Sequence, residues 1–197
     1  MHLGLIVTDA SPLITLAAGE ALDCLTSPGL PVVIPDMVYY EVTRDLARTG
    51  AEDIVAWARR RPGQVMIAPT SVFAEFQVLS LANPAARSKG RGELSALEVL
   101  SAAVADEPSL QAVLIFEDND LQKRNFVRLL PERVIALSTG DLLHELEQAG
   151  RIQSSDRILD LAASKERNVA AQREPSGNDQ ARSAFRMQLE RNRRQGG

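Results

Sequence analysis

The sequence predicts an α/β fold built on a mainly parallel sheet. Short apolar runs alternate along the chain with longer segments of helical periodicity, a pattern typical of parallel strands joined by helical crossovers. The first run, residues 3–7, leads to Asp9, and Ser11 and Pro12 then offer an N-cap and a first-turn residue for a helix. Because ligands bind beyond the carboxyl ends of strands in such sheets, we expect Asp9 at the functional edge. The alternative is that Asp9 only helps to cap the helix.

Four further apolar runs predict the remaining strands. They are short, rich in Val, Ile and Leu, and bounded by Pro, Gly or polar residues, as buried parallel strands are. The run at 112–116 is the strongest of these and continues directly into the acidic segment 117–120. The four predicted strands are 31–35, 65–68, 112–116 and 134–137.

Capping residues and Gly or Pro stops delimit the helices between these strands. Asp36 can cap a helix that runs to about Arg48, and Ser138 or Thr139 can cap the helix that ends at Gly150. The segment from Ser155 is amphipathic. Beyond the helix that begins at Pro12, the predicted helices are 36–48, 51–61, 71–82, 93–105, 121–130, 139–150 and 155–169.

The composition excludes several classes of site. Aromatic residues make up 4% of the 197 residues, which argues against a base-stacking platform for single strands. One cysteine, Cys24, and two histidines exclude a disulfide framework and a zinc site built on thiolates or imidazoles. We find no apolar run of about 18 residues and no basic leader, so we expect a cytoplasmic protein without a membrane span.

The net charge of −4 is unevenly distributed. Residues 165–197 carry a net charge of +4 and residues 1–164 carry −8. The basic segment can contact nucleic acid, bind a partner or remain solvated, and its low apolar content predicts disorder. We therefore divide the chain into an α/β domain (1–150), a helical extension (151–173) and a polar basic tail (174–197), and expect that deletion from Pro175 onward leaves the melting temperature nearly unchanged.

Two glutamates lie on predicted helices. At 100° per residue, Glu93 shares the apolar stripe formed by Leu97, Leu100 and Val104. A carboxylate on a buried stripe is costly unless it is paired or binds a cation, although in the first helical turn it can also extend into solvent. Glu41 borders the apolar stripe of the preceding helix, and a solvent-facing position is equally compatible with its spacing.

Two aspartates directly follow the strongest predicted strand. Asp118 and Asp120 stand after that strand as Asp9 stands after the first. Carboxylates brought together at one edge raise one another's pKa unless a cation neutralises them. Ligands that are all oxygen favour Mg²⁺ or Mn²⁺ over zinc.

These segments together resemble a PIN domain, the nuclease fold of VapC-type toxins. The segment 92–97 resembles the Gly-Glu-x-Glu-Ala pattern of one PIN subgroup, but Ser95 replaces its second glutamate. The segment 114–124 resembles the strand and acid pair of the family, with Glu117 and Asp118 in place of two aspartates. The resemblance covers about residues 3–160, and the segments that carry it are 7–14, 33–42, 92–97, 114–124, 139–143 and 149–152.

The resemblance implies a three-layer α/β/α PIN-like fold and metal-dependent hydrolysis of RNA. It implies the toxin component of a toxin–antitoxin pair, a small antitoxin as partner, and a possible homodimer. The catalytic residues that it implies are Asp9, Glu41, Glu93 and Asp118. The ligands of Mg²⁺ (or Mn²⁺) would be Asp9, Glu93, Asp118 and Asp120. The residues expected to contact RNA are Ser11, Arg87, Lys89, Arg91, Lys123 and Arg124.

Two other functions are compatible with the residues. Ser95 and the unusual tail favour a catalytically inactive PIN-like module that acts by binding or oligomerising. An aspartate-based phosphotransferase on a similar sheet is the third hypothesis. It is disfavoured because Ser11 stands where one such class needs a second aspartate, and because no lysine follows the strand at 134–137.

Overall fold

Five parallel strands form one sheet within the part of the chain that the structure describes. The structure is a computed structural model that describes residues 2–117, 129–174, 176 and 178–195, with side chains as far as residue 192. The strand order is β3-β2-β1-β4-β5, and every neighbouring pair is parallel. The strands are β1 His2–Thr8, β2 Val32–Pro35, β3 Val65–Ala68, β4 Leu110–Phe116 and β5 Val134–Ser138.

Helices cover both faces of this sheet. Alternate residues of β1 point to opposite faces, so Ile6 belongs to one apolar core and Leu5 and Val7 to the other. Helix α5 packs on the second core, and α1, α6 and α8 pack on the first. The helices are α1 Ala10–Ala18, α2 Asp36–Thr43, α3 Ala51–Arg60, α4 Ser71–Ala82, α5 Arg91–Asp106, α6 Thr139–Gln148, α7 Ser155–Ser164 and α8 Asp179–Gln195.

This arrangement confirms the predicted three-layer α/β/α architecture with a parallel sheet. The predicted helix over 121–130 falls largely on residues outside the described part of the chain. The described helices include none long and apolar enough to cross a bilayer.

Several helix boundaries differ from the sequence-based expectation: α5 begins at Arg91 and not at residue 93, α6 ends at Gln148 and not at residue 150, and three further differences have an identifiable cause. Helix α1 begins at Ala10, so Ser11 lies inside it and Asp9 takes the N-cap position. Helix α2 ends at Thr43 and not near residue 48, because the Asp45 carboxylate accepts a hydrogen bond from the Ala47 N–H and favours a turn. Helix α7 ends at Ser164 and not at residue 169, because the chain turns through a left-handed residue at position 166.

The expectation of a disordered tail is wrong for residues 179–195, which form α8. Ala181, Phe185 and Leu189 recur every four residues, and all three are buried in the core against α6, β5 and β1. The average composition of the tail did not reveal these anchors, because most of the other positions of the helix are polar.

The basic C-terminal segment neutralises acids of the preceding domain, which explains the uneven charge. Arg182 and Arg186 bind the fully buried carboxylate of Glu145 at 2.9 and 2.7 Å. Burial raises the pKa of Glu145, but hydrogen bonds from Arg186 and then Arg182 outweigh it and hold the pKa below its usual range. Further basic residues of the segment form the pairs Lys165–Glu20, Arg167–Glu117 and Arg173–Asp160.

Candidate active site

Asp9 lies where the carboxyl ends of β1 and β4 meet. Its backbone N–H donates to the Ile115 carbonyl oxygen at 3.1 Å, so the last residues of the two strands are side by side. The residue is buried, and its carboxylate makes no capping hydrogen bond to α1. Asp9 therefore occupies the N-cap position of α1 without a capping hydrogen bond from its side chain.

A second aspartate at the same edge, Asp36, has a structural role. It begins α2 directly after β2, and its carboxylate accepts hydrogen bonds from the Thr70 N–H at 3.0 Å and the Thr70 hydroxyl at 2.6 Å. Thr70 in turn caps α4. Asp36 thereby fixes the start of α2, the helix that carries Glu41, against the start of α4.

Glu41 and Glu93 approach each other across the contact between α2 and α5. Gly90 adopts a left-handed backbone with φ 78°, which lets α5 begin at Arg91 and places Glu93 in its first turn. A Cβ atom on Gly92 would lie 2.9 Å from the Glu41 Oε2 atom, so any larger residue at this position would require the carboxylate to move. Both glutamates are half-buried.

The negative charges of Asp9 and Glu93 act on the carboxylate of Glu41. The pKa of Glu41 is raised to about 7, first by burial and then by the negative charges of Asp9 and Glu93, while a hydrogen bond with Ser88 and the charge of Arg44 partly oppose this rise. The negative charges of Asp9, Glu41 and Glu93 are thus close enough to act on one another. Such a site fits a bound cation.

The predicted cation ligands lie only partly within the described residues. No group of three or more His, Cys, Asp or Glu side chains is already arranged to hold a metal within the ranges that the structure describes. The remaining predicted ligands, Asp118 and Asp120, lie outside those ranges, as do Lys123 and Arg124. The donors at hand are all carboxylate oxygens, which fit Mg²⁺ or Mn²⁺ better than a softer metal.

The two positions that depart from the PIN pattern are both buried. The Ser95 hydroxyl donates to the Gly92 carbonyl oxygen at 2.8 Å and so stabilises the first turn of α5. The Glu117 carboxylate accepts hydrogen bonds from the Thr139 hydroxyl at 3.0 Å and from Arg167 at 3.4 Å. Sequence reasoning missed Arg167, which is 50 residues away in the chain.

The predicted RNA-binding residues fall in two places. Arg87 and Lys89 are exposed in the loop before α5, and the Arg91 guanidinium lies 5.7 Å from the centre of the Phe76 ring. Ser11 is half-buried in α1, and its carbonyl oxygen accepts a hydrogen bond from Arg167. The three bases at the start of α5 and just before it therefore lie next to Glu93 along the chain, on the side of the site formed by α5.

Comparison with known families agrees with this architecture. The model of one family described as a PIN domain (DUF3368) matches residues 5–161. Searches of curated proteins and of solved structures found no match to the chain. PIN domains are generally nucleases that act on RNA and typically depend on divalent metal ions. The match spans most of the chain and all the carboxylates discussed above, and the protein therefore belongs to the PIN-domain family.

Proposed function

We propose that the protein is a metal-dependent endoribonuclease, the toxin component of a toxin–antitoxin system that acts in the cytoplasm. The observation that carries the proposal is the half-buried carboxylate of Glu41, whose pKa of about 7 reflects burial and the nearby charges of Asp9 and Glu93. A PIN domain with concentrated negative charge at the carboxyl edge of its sheet is suited to binding Mg²⁺ or Mn²⁺.

Each acid has a distinct role in this proposal. Asp9 and Glu93, together with Asp118 and Asp120, would hold the cation. When bound, the cation lowers the pKa of a water molecule and neutralises charge on the scissile phosphate. In the metal-free protein Glu41 is suited to exchange a proton near pH 7, because its pKa there is about 7.

Basic residues at the start of α5 and in the loop before it supply proposed contacts to the RNA backbone. Arg87, Lys89 and Arg91 place three positive charges at the start of the helix that carries Glu93. Such charges bind phosphates without reading sequence, and their contribution falls as salt rises. Ser11, Lys123 and Arg124 complete the proposed set of RNA contacts.

An exposed apolar face on α4 supports a protein partner. Val78 and Leu79 are 67% and 45% exposed and, together with Ala74, line an apolar patch of the surface. Contiguous apolar side chains on a surface typically mark protein–protein contacts. A small antitoxin is the partner that the toxin proposal requires, and a second copy of this chain is the other candidate for the same face.

Titration with Mn²⁺ tests the proposal directly. Calorimetry on the protein freed of any partner is expected to show binding for the wild type and a loss of affinity of about 100-fold for Asp9→Asn. Asp53→Asn removes an exposed carboxylate on α3 and serves as the matched control with unchanged binding. A wild type that neither binds Mn²⁺ nor cleaves RNA would refute the proposal.

The second candidate is a catalytically inactive PIN-like module. Ser95 favours it, because this residue replaces an acid of the subgroup pattern and its hydroxyl is engaged with Gly92. RNA cleavage by the wild type that disappears in Asp9→Asn, with an unchanged circular dichroism spectrum, would exclude this candidate. Metal binding without cleavage of any RNA would favour it.

Gly92→Ala is expected to weaken the site without weakening the fold. The added methyl group would meet the Glu41 Oε2 atom at 2.9 Å, and that flexible carboxylate has to move away. Alanine is the better helix former, so the free energy of unfolding should stay within about 1 kcal/mol of wild type. We expect about 10-fold weaker Mn²⁺ binding by calorimetry. Unchanged affinity would show that the position of Glu41 does not matter for the cation.

A further inference from the structure

Arg167 joins two elements that meet at the active site. Its guanidinium donates to the Ser11 carbonyl oxygen at 3.4 Å and to the Thr15 hydroxyl at 3.1 Å, both in α1. The same Nη2 atom lies 3.4 Å from the Glu117 carboxylate just beyond β4. Helix α1 begins immediately after Asp9. One side chain therefore bridges the helix that follows Asp9 and the end of the neighbouring strand.

The partner of Arg167 is a fully buried carboxylate. Glu117 is inaccessible to solvent, and its Oε1 atom also accepts a hydrogen bond from Thr139 at the start of α6. A charge buried in this way requires a compensating charge and hydrogen bonds, which Arg167 and Thr139 supply. The position of Arg167 thus fixes the point where the chain leaves β4 and continues to Asp118, which lies outside the described residues.

The turn after α7 directs Arg167 toward this position. Glu166 adopts φ 65°, a left-handed conformation that side chains other than glycine rarely take. The Arg167 N–H closes the helix end by donating to the Ala162 carbonyl oxygen at 3.1 Å. On the other side, Lys165 binds Glu20 at 2.9 Å. These interactions order a segment that begins after residue 161, where the match to the PIN family ends.

We propose that Arg167 is a positioning residue of the active site, supplied by the C-terminal segment outside the family match. It fixes the spacing between Asp9 and the end of β4 and so sets the affinity of the site for a divalent cation. This inference rests on the proposed function. Residues outside the direct ligands commonly tune a metal site in this way, because they orient the groups that bind.

The test compares Arg167 with another arginine of the same segment. Arg173 also forms ion pairs, but with Asp156 and Asp160 within α7, so Arg173→Ala is the matched control. Mn²⁺ titration by calorimetry is expected to show about 10-fold weaker binding for Arg167→Ala and unchanged binding for Arg173→Ala. Arg167→Lys retains the charge beside Glu117, and so keeps the test valid if the alanine variant does not fold. Its Mn²⁺ affinity should fall less than that of Arg167→Ala because the charge is kept, and should still fall because lysine lacks the planar fork.

Added guanidinium ion, at concentrations far below those that unfold proteins, is expected to restore part of the Mn²⁺ affinity of Arg167→Ala. A purely structural role would lower the urea midpoint and leave the affinity of the folded fraction unchanged, which would overturn the inference. Equal losses of Mn²⁺ affinity in Arg167→Ala and Arg173→Ala would also overturn the inference. If the wild type itself binds no Mn²⁺, the proposed function fails and this inference falls with it, a result visible before any variant is measured.

Discussion

Phe185→Ala is expected to lower the free energy of unfolding by about 3–5 kcal/mol, the largest stability effect that we predict. The ring is fully buried and is one of the largest such side chains in the protein. It lies in the core cluster that also contains α1 and α6, so its removal leaves a cavity in the centre of one face of the sheet. Urea unfolding followed by circular dichroism measures the change.

An exposed residue of the same helix provides the control. Met187 is 54% exposed, and Met187→Ala should change the free energy of unfolding by no more than about 0.5 kcal/mol. Deletion of residues 175–197 removes the whole of α8 and should lower the melting temperature strongly, contrary to the expectation from composition. A deletion variant as stable as wild type would mean that α8 contributes nothing to the fold.

Most of the fold was predictable because each core element carries its own local signal. The bounds of β3 and α4 agree with the sequence-based prediction, since Val65–Ala68 is a short apolar run and Thr70 is a strong capping residue. Helix α8 was missed for the opposite reason. Its three apolar anchors are diluted by charged residues, and two of these, Arg182 and Arg186, bind the buried Glu145, which is distant in the sequence.

The order of acids along the chain drew attention to Asp9, Glu41 and Glu93, whose charges act on one another in the structure, but the surroundings of each carboxylate could be known only from the coordinates. Asp9 and Asp36 both stand at the junction of a strand and a helix, and local sequence gives them the same meaning. In the structure, the Asp36 carboxylate accepts hydrogen bonds from Thr70, whereas the Asp9 side chain makes no capping hydrogen bond to the helix that follows it. The role of Arg167 could not be predicted from the sequence, because no local pattern connects Arg167 with Glu117.

Glu41→Gln is expected to stabilise the metal-free protein and to abolish RNA cleavage. Burial, with Asp9 and Glu93 nearby, raises the pKa of Glu41 from 4.5 to about 7, so the folded state holds this proton more tightly than the unfolded state. The Glu41 contribution to stability therefore falls as pH rises from about 4.5 to about 7. Glutamine carries no charge and removes this penalty. Allowing for screening by solvent, we expect the free energy of unfolding of Glu41→Gln to exceed that of the wild type by about 1–2 kcal/mol above about pH 7, and to equal it near pH 4.

The matched comparison is urea unfolding in EDTA at low and high pH for wild type, Glu41→Gln and Glu75→Gln. Glu75 is exposed on α4, so its variant should follow the wild type at both pH values. Adding Mn²⁺ should make the wild type more stable than Glu41→Gln, because a cation that binds the folded state stabilises the wild type more than the variant. RNA cleavage by Glu41→Gln should fall about 100-fold or more. A variant no more stable than wild type at high pH would show that the fold tolerates the Glu41 charge without a cation, and the argument for a metal site would lose its electrostatic basis.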